Sequence, residues 1–241
     1  MKVHKSLETS GFIKQIFPQI EKSIHSKINY STVTSKSKLK RRAIGKVDLL
    51  LINDPKQEKT LVRQGWAIGR FPIMTSDYLF VGPSDDPAKI KDARNLSDLF
   101  IRLVSKKSPF LSLGDQSSIH QKEQSLWHAH ALLPKGAKWY IETKTSMKAT
   151  LKKADKLQGY TLVDRATWLA NKNKLKLVEL RSGDKTLTSL YSIVLRNSDR
   201  QLVNVTGSSN FLDWFSSEQG IQAINNFKIN KETVFKPVEN K

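Results

Sequence analysis

The stretch VDLLLIN at 47–53 is the feature that most narrows the folds open to this chain. A half-buried strand alternates apolar and polar residues, whereas a run that is apolar at nearly every position needs cover on both faces. Helices on either side of a largely parallel sheet supply that cover. DYLFVGP, ended by Gly82 and Pro83, reads as a second such strand, followed by KWYIET, LKLVEL and LYSIVLR. Helical periodicity fills the intervals. Phe12, Ile16, Ile20 and Ile24 form one stripe, with Ser10 available as its cap. KQEKTLVRQGWA is a short helix stopped near Gly65, and NLSDLFIRLVSKK places Leu96, Leu99, Phe100 and Leu103 on one side. SMKATLKKADKLQG turns Met147, Leu151 and Ala154 inward, YTLVDRATWLANKN becomes helical after Asp164, and GSSNFLDWFSSEQGIQAINNF supplies two closing helices. The expected class is α/β with largely parallel sheets and no internal repeat.

A chain of 241 residues suffices for one large domain or two lobes, each with its own core. No apolar run reaches the length of a membrane span, and MKVHKSLETS has no hydrophobic signal core, so as written the chain reads as soluble. The absence of cysteine excludes disulfides, thiolate metal sites and cysteine nucleophiles. Forty-one Lys and Arg against 22 Asp and Glu leave a formal charge of +19. Such a field attracts small anions, anionic lipid surfaces or nucleic acid, or serves solubility alone.

Catalytic motifs are missing. SKSK at 35–38 has the Ser-x-x-Lys spacing of penicillin-recognising enzymes, but no Lys-Thr-Gly follows. His128 and His130, two apart on a helix, point in different directions and do not form a metal pair. There is no Walker loop, dinucleotide glycine fingerprint or paired acid constellation, so neither catalysis, a metal nor a cofactor is expected. SPFLSLGDQSSIHQKE at 108–123 is richer: a strand runs into a helix through Gly114, Asp115, Gln116, Ser117 and Ser118. A helix start of this kind satisfies its N–H groups by capping or by binding an anion. Ser118 and Gln121 have the spacing of a capping box.

From residue 47 onward the order of motifs resembles the substrate-binding proteins of tungstate-type ABC transporters, within the type II periplasmic binding fold. VDLLLINDP, VRQGWAIGRFPIMTSDYLFVGPSDDPAKIKD, FLSLGDQSSIHQKE, WYIETKTSMKATL, GYTLVDRATWLA, YSIVLRN and FLDWFSSEQGIQAINNFKI carry the likeness, in order and with similar spacing. The resemblance implies an α/β fold of two lobes with two crossover strands, about IMTSDYLF and LTSLYSIVL. Lobe I would comprise 1–76 plus 190–241, and lobe II 77–189. It also implies a non-enzymatic, periplasmic or otherwise extracytoplasmic monomer that delivers an oxyanion to a membrane permease. In such proteins backbone N–H groups at helix starts, hydroxyls and one arginine hold the anion.

The lining departs from the family pattern. Thr-Thr-Thr-Ser becomes Val3, His4, Lys5 and Ser6, and a Gly-Thr-Gly loop becomes Thr34, Ser35 and Lys36. Ser-Arg-Gly-Asp-x-Ser-Gly-Thr-His becomes SLGDQSSIH, with Leu113 at the arginine and Ile119 at the threonine. Three glycines of Glu-Thr-Gly-x-Gly-Met-Gly become Lys144, Ser146 and Lys148. The residues expected to line the cleft are Ser6, Ser35, Ser117, Thr143, Lys144 and Lys148. Lys144, Lys148, Lys152 and Lys156 recur every four residues as one helical face, either solvated or poised for an anion. SKSKLKRRAIGK adds a second basic cluster. The expectation is a receptor for a small anion; the alternative is a polyanion-binding or sensor module that retains the fold. The lack of aromatics in SKSKLKRR weakens the nucleic-acid version.

Overall fold

The computed structural model describes residues 1–33, 44–198 and 203–238. The chain divides into two compact units, Met1–Ser76 with Ser189–Lys241, and Asp77–Thr188. Two strands carry it between them.

In the first unit the parallel strands β1 (Lys2–His4), β2 (Ser31–Val33) and β3 (Leu49–Ile52) lie in the order β3-β1-β2. All four residues of β3 are buried, as a run apolar on both faces requires. Antiparallel to it runs β9 (Thr188–Arg196), with Leu50 opposite Val194. Beyond β9 come the first half of β4 (Ala67–Gly82) and the short β12 (Lys236–Pro237). Helices α1 (Lys5–Thr9), α2 (Phe12–Ile24), α3 (Pro55–Arg63), α8 (Val205–Ser216) and α9 (Glu218–Asn226) belong to this unit. The apolar stripe of α2 is buried at Phe12, Ile16 and Ile20, and Phe12 meets Phe227 and Phe235 edge-on. Ser10 is not the N-cap of α2. Gly11 takes that place, because its φ of 84° lets the chain turn sharply out of α1. The Ser10 hydroxyl still accepts from the Phe12 N–H at 3.3 Å.

In the second unit β5 (Phe110–Ser112) pairs in parallel with β6 (Tyr140–Glu142), and Phe110 bridges in parallel to Tyr160, just ahead of β7 (Thr161–Asp164). β7 and β8 (Val178–Arg181) both pair antiparallel with the second half of β4. Helices α4 (Leu96–Lys106), α5 (Ser118–Ala129), α6 (Met147–Leu157) and α7 (Arg165–Asn171) complete it. The core is aromatic: Phe80, Phe100, Phe110, Trp127, Tyr140 and Tyr160 form one buried cluster. Inside it Glu123 of α5 accepts from Tyr140 Oη at 2.6 Å and from Trp127 Nε1 at 3.2 Å. Burial pushes this carboxyl up to about 7. The remaining strands, β10 (Lys228–Ile229) and β11 (Glu232–Thr233), form a hairpin in the first unit. Asn230 and Lys231 supply the two positive φ values of its turn.

Candidate anion-binding loops

In open α/β sheets, ligands collect beyond the carboxyl ends of parallel strands where the strand order reverses. Each unit has such a point. In the first it lies after β1, which has β2 on one side and β3 on the other. In the second it lies after β5, flanked by β6 and by the bridge to Tyr160.

Ser6 stands at the first of these points, within α1. His4 is the N-cap of that helix, and its Nδ1 accepts the Ser6 N–H at 3.3 Å. The same nitrogen lies 2.7 Å from Ser6 Oγ, which lies 2.9 Å from the Tyr191 hydroxyl of β9. Burial depresses the His4 pKa to about 4, so the ring is neutral at physiological pH. Asn53, directly after β3, donates its side-chain amide to Ser189 Oγ at 3.1 Å. Ser35 and the basic run around it fall outside the described residues.

At the second point the loops after β5 and β6 are tied together, since Lys144 N–H donates to the Leu113 carbonyl at 2.8 Å and Thr143 N–H to that of Ser112. The loops bring Ser117, Thr143, Lys144 and Lys148 onto one end of the unit. Ser117, not Ser118, caps α5 by accepting from the His120 N–H. Gln121 does not make the reciprocal bond of a capping box; His120 Nδ1 takes the N–H of Gln116, the residue before the cap, at 3.0 Å. Asp115 Oδ1 accepts from the Ser117 N–H at 3.0 Å. Burial lowers the His120 pKa, against the opposing pull of Asp115 and Glu142. Capping chemistry thus occupies these donors. Gly114 is needed for space as well as for its φ of 63°, because a Cβ there would lie 2.9 Å from the Glu142 side chain.

Thr143 turns inward: its hydroxyl bonds the Ser112 carbonyl at 3.0 Å and lies 2.7 Å from Thr150 Oγ1. Lys144 does not continue the helical stripe. It precedes the α6 N-cap, Ser146, and holds a left-handed φ of 50°, the conformation a glycine adopts without strain. Lys148, Lys152 and Lys156 remain exposed on α6 as a solvated face. Replacing Lys144 with glycine is expected to leave the melting temperature unchanged or raise it by the equivalent of about 1 kcal/mol, because relief of the left-handed strain outweighs the added chain entropy. A fall in thermal denaturation midpoint comparable to that of a core substitution would contradict this account.

His4, Tyr191 and the buried Glu123 were not among the residues singled out from the sequence. His4 sits in the very motif that supplies Ser6; nothing local marks Tyr191, 185 residues away from its partner. Among the described residues no cluster of His, Asp or Glu has a metal-binding arrangement, and no helix is long and apolar enough to cross a membrane.

Comparison with known proteins gives these loops a context. The family model described as a PBP superfamily domain matches residues 6–219. The tungstate-binding protein TupA of Campylobacter jejuni is 29% identical over 235 residues, covering 95% of this chain and 87% of that protein. The solved tungstate-binding protein TupA of Desulfovibrio alaskensis G20 superposes with a TM-score of 0.91 at 27% identity, covering 100% of this chain and 98% of that one. A structure described as the tungstate ABC transporter from Geobacter sulfurreducens gives a TM-score of 0.82 at 31% identity, covering 94% and 98%.

Proposed function

This chain belongs to the PBP superfamily, and from that premise we propose that it is the solute-binding protein of an ABC-type transporter, taking up a small oxyanion outside the cytoplasm for delivery to a membrane permease. The observation that carries the proposal is the pair of reversal points. Each holds a loop of hydroxyl and N–H groups at the carboxyl end of parallel strands, in segments that resemble the family's motifs. In this reading Ser6, Ser117, Thr143, Lys144 and Lys148 are the candidate anion-binding residues. A nucleic-acid or membrane-surface role has no comparable support, because the relatives are receptors for a small ion.

The pocket is not that of an arginine-bearing tungstate receptor. Leu113 is 4% exposed and apolar at the position where the family pattern places a guanidinium. A charge-assisted bidentate pair contributes about 3 kcal/mol, so its loss corresponds to an affinity for tungstate roughly 100-fold lower than an arginine site provides. Calorimetric titration with tungstate, molybdate, sulfate and phosphate tests the proposal. At least one of these is expected to bind and to raise the melting temperature by mass action. No binding by any of them overturns the receptor reading, and nanomolar tungstate affinity in the native protein overturns the role given to Leu113.

A further inference from the structure

We propose that Glu123 sets the affinity of the second unit's loops for an oxyanion, which they hold while its carboxyl is neutral and lose as it ionises. This rests on the receptor reading above and adds a residue that governs it.

Glu123 is built into the end of the unit that carries both loops. It belongs to α5, the helix that opens at Ser117, and stands about 9 Å along the axis from that cap. Its carboxyl accepts from Tyr140 Oη of β6 and from Trp127 Nε1, one turn further along α5. The side chain of Ser112, at the end of β5, acts on it as well. The carbonyl of that same serine takes the N–H and the hydroxyl of Thr143 from the loop after β6. The place is closed to solvent, with Glu123 2% exposed and Trp127 1%. Such surroundings disfavour a charge, and burial holds the folded carboxyl at about 7.

The field at the start of α5 depends on that proton. Aligned peptide dipoles place about half a positive charge there. With Glu123 neutral, this is what an arriving anion meets. Ionised Glu123 adds a full negative charge behind it, about twice the size of the dipole's. At an effective dielectric constant of about 20, a charge about 9 Å away weakens binding roughly 20-fold for each unit of ligand charge.

The neighbouring groups leave this effect to Glu123. Tyr140 is pushed up, by burial first and then by Glu123 itself, so it stays protonated. His120, one turn earlier on α5, is lowered by burial and is neutral above about pH 6.5, with Asp115, Glu142 and Lys135 acting on it. Lys122 is drawn to Asp184. On β7, Asp164 accepts the Thr167 N–H at 2.9 Å as the cap of α7.

The test is calorimetric titration with tungstate, molybdate and sulfate at about pH 6.5 and about pH 8.5, in buffers of different ionisation enthalpy. These anions keep their double charge over this range, so a change in affinity belongs to the protein. The native protein is expected to bind about 20-fold more weakly at the higher pH. It should take up close to one proton per anion there and far less at the lower pH, a readout that needs no variant. Glu123→Gln retains the acceptor for Tyr140 and Trp127 but cannot ionise. It is expected to match the native affinity at about pH 6.5, to exceed it about 20-fold at about pH 8.5, and to take up no proton. Native affinity independent of pH, binding without proton uptake at the higher pH, or a variant weakened by the same factor at both pH values overturns the inference alone. No binding by any of the three anions overturns it as well, and the receptor reading falls with it when phosphate also fails to bind.

Discussion

Glu123→Gln is expected to become progressively more stable than the native protein as the pH rises from about 4.5 to 7, by about 3 kcal/mol at the top of that range. His4→Asn is expected to gain on the native protein in the opposite direction, by a similar amount, as the pH falls from about 6.5 to 4. Both follow from burial acting on groups of opposite charge type. Glu123 is raised from 4.5 to about 7, so the folded chain holds a proton that the unfolded chain releases. Its contribution is complete below 4.5 and is lost as the pH climbs through 7. His4 is lowered from 6.5 to about 4, so the unfolded chain binds a proton that the folded chain refuses. Its contribution is complete above 6.5 and is lost as the pH falls through 4. Gln preserves the acceptor for Tyr140 and Trp127 while removing the titration. Because each variant is measured against the native chain, the raised carboxyls Glu58 and Asp164 cancel. Chemical denaturation at a series of pH values provides the check. Parallel stability curves for variant and native protein would show that neither group titrates where its burial implies.

Leu113→Arg is expected to turn the protein into one whose stability depends on tungstate. In the free protein an arginine in this buried place costs about 3–5 kcal/mol, the penalty of a charge left without a partner. Tungstate supplies the partner, and at a concentration about a thousandfold above its dissociation constant it returns about 4 kcal/mol. The melting temperature should therefore start well below that of the native protein and climb steeply with added tungstate, while affinity rises by roughly 100-fold. A variant as stable as the native chain without anion, and indifferent to tungstate, would show that the loop after β5 does not face the ligand.

The α/β class could be read from residues such as Leu49 to Ile52, because an uninterrupted apolar run has few homes other than a sheet covered on both faces. The helix α1 could not. Its five residues are too few to display a period, and its cap is a histidine rather than one of the usual oxygen-bearing residues. The strand β4 was visible only in its second half, where YLFVG is buried throughout; the first half contains Gly69 and Pro72 and half-exposed side chains. Of the candidate site, Ser117 was legible as a loop hydroxyl, but the sequence spacing assigns the capping position to its neighbour Ser118, whereas Ser117 holds it. The His4–Ser6–Tyr191 relay was out of reach, since hydrogen bonds across 185 residues leave no local pattern. The α6 lysines illustrate the converse: a strict spacing of four extended the helical face to Lys144, whereas the backbone turns left-handed there before the helix begins.

The interruption of the first unit by the second also sets an order of events during synthesis. Residues 77–188 form a continuous stretch, so everything the second unit needs has been synthesised once that stretch is complete. The first unit must wait: β3, buried along its whole length, has β9 as its antiparallel neighbour, and β4 takes β12 only when residues 236 and 237 arrive. Until then the nascent chain carries an apolar strand with an open edge, the kind of surface that pairs with other chains. The protein's most exposed moment thus falls late in translation, after one half of it is already complete.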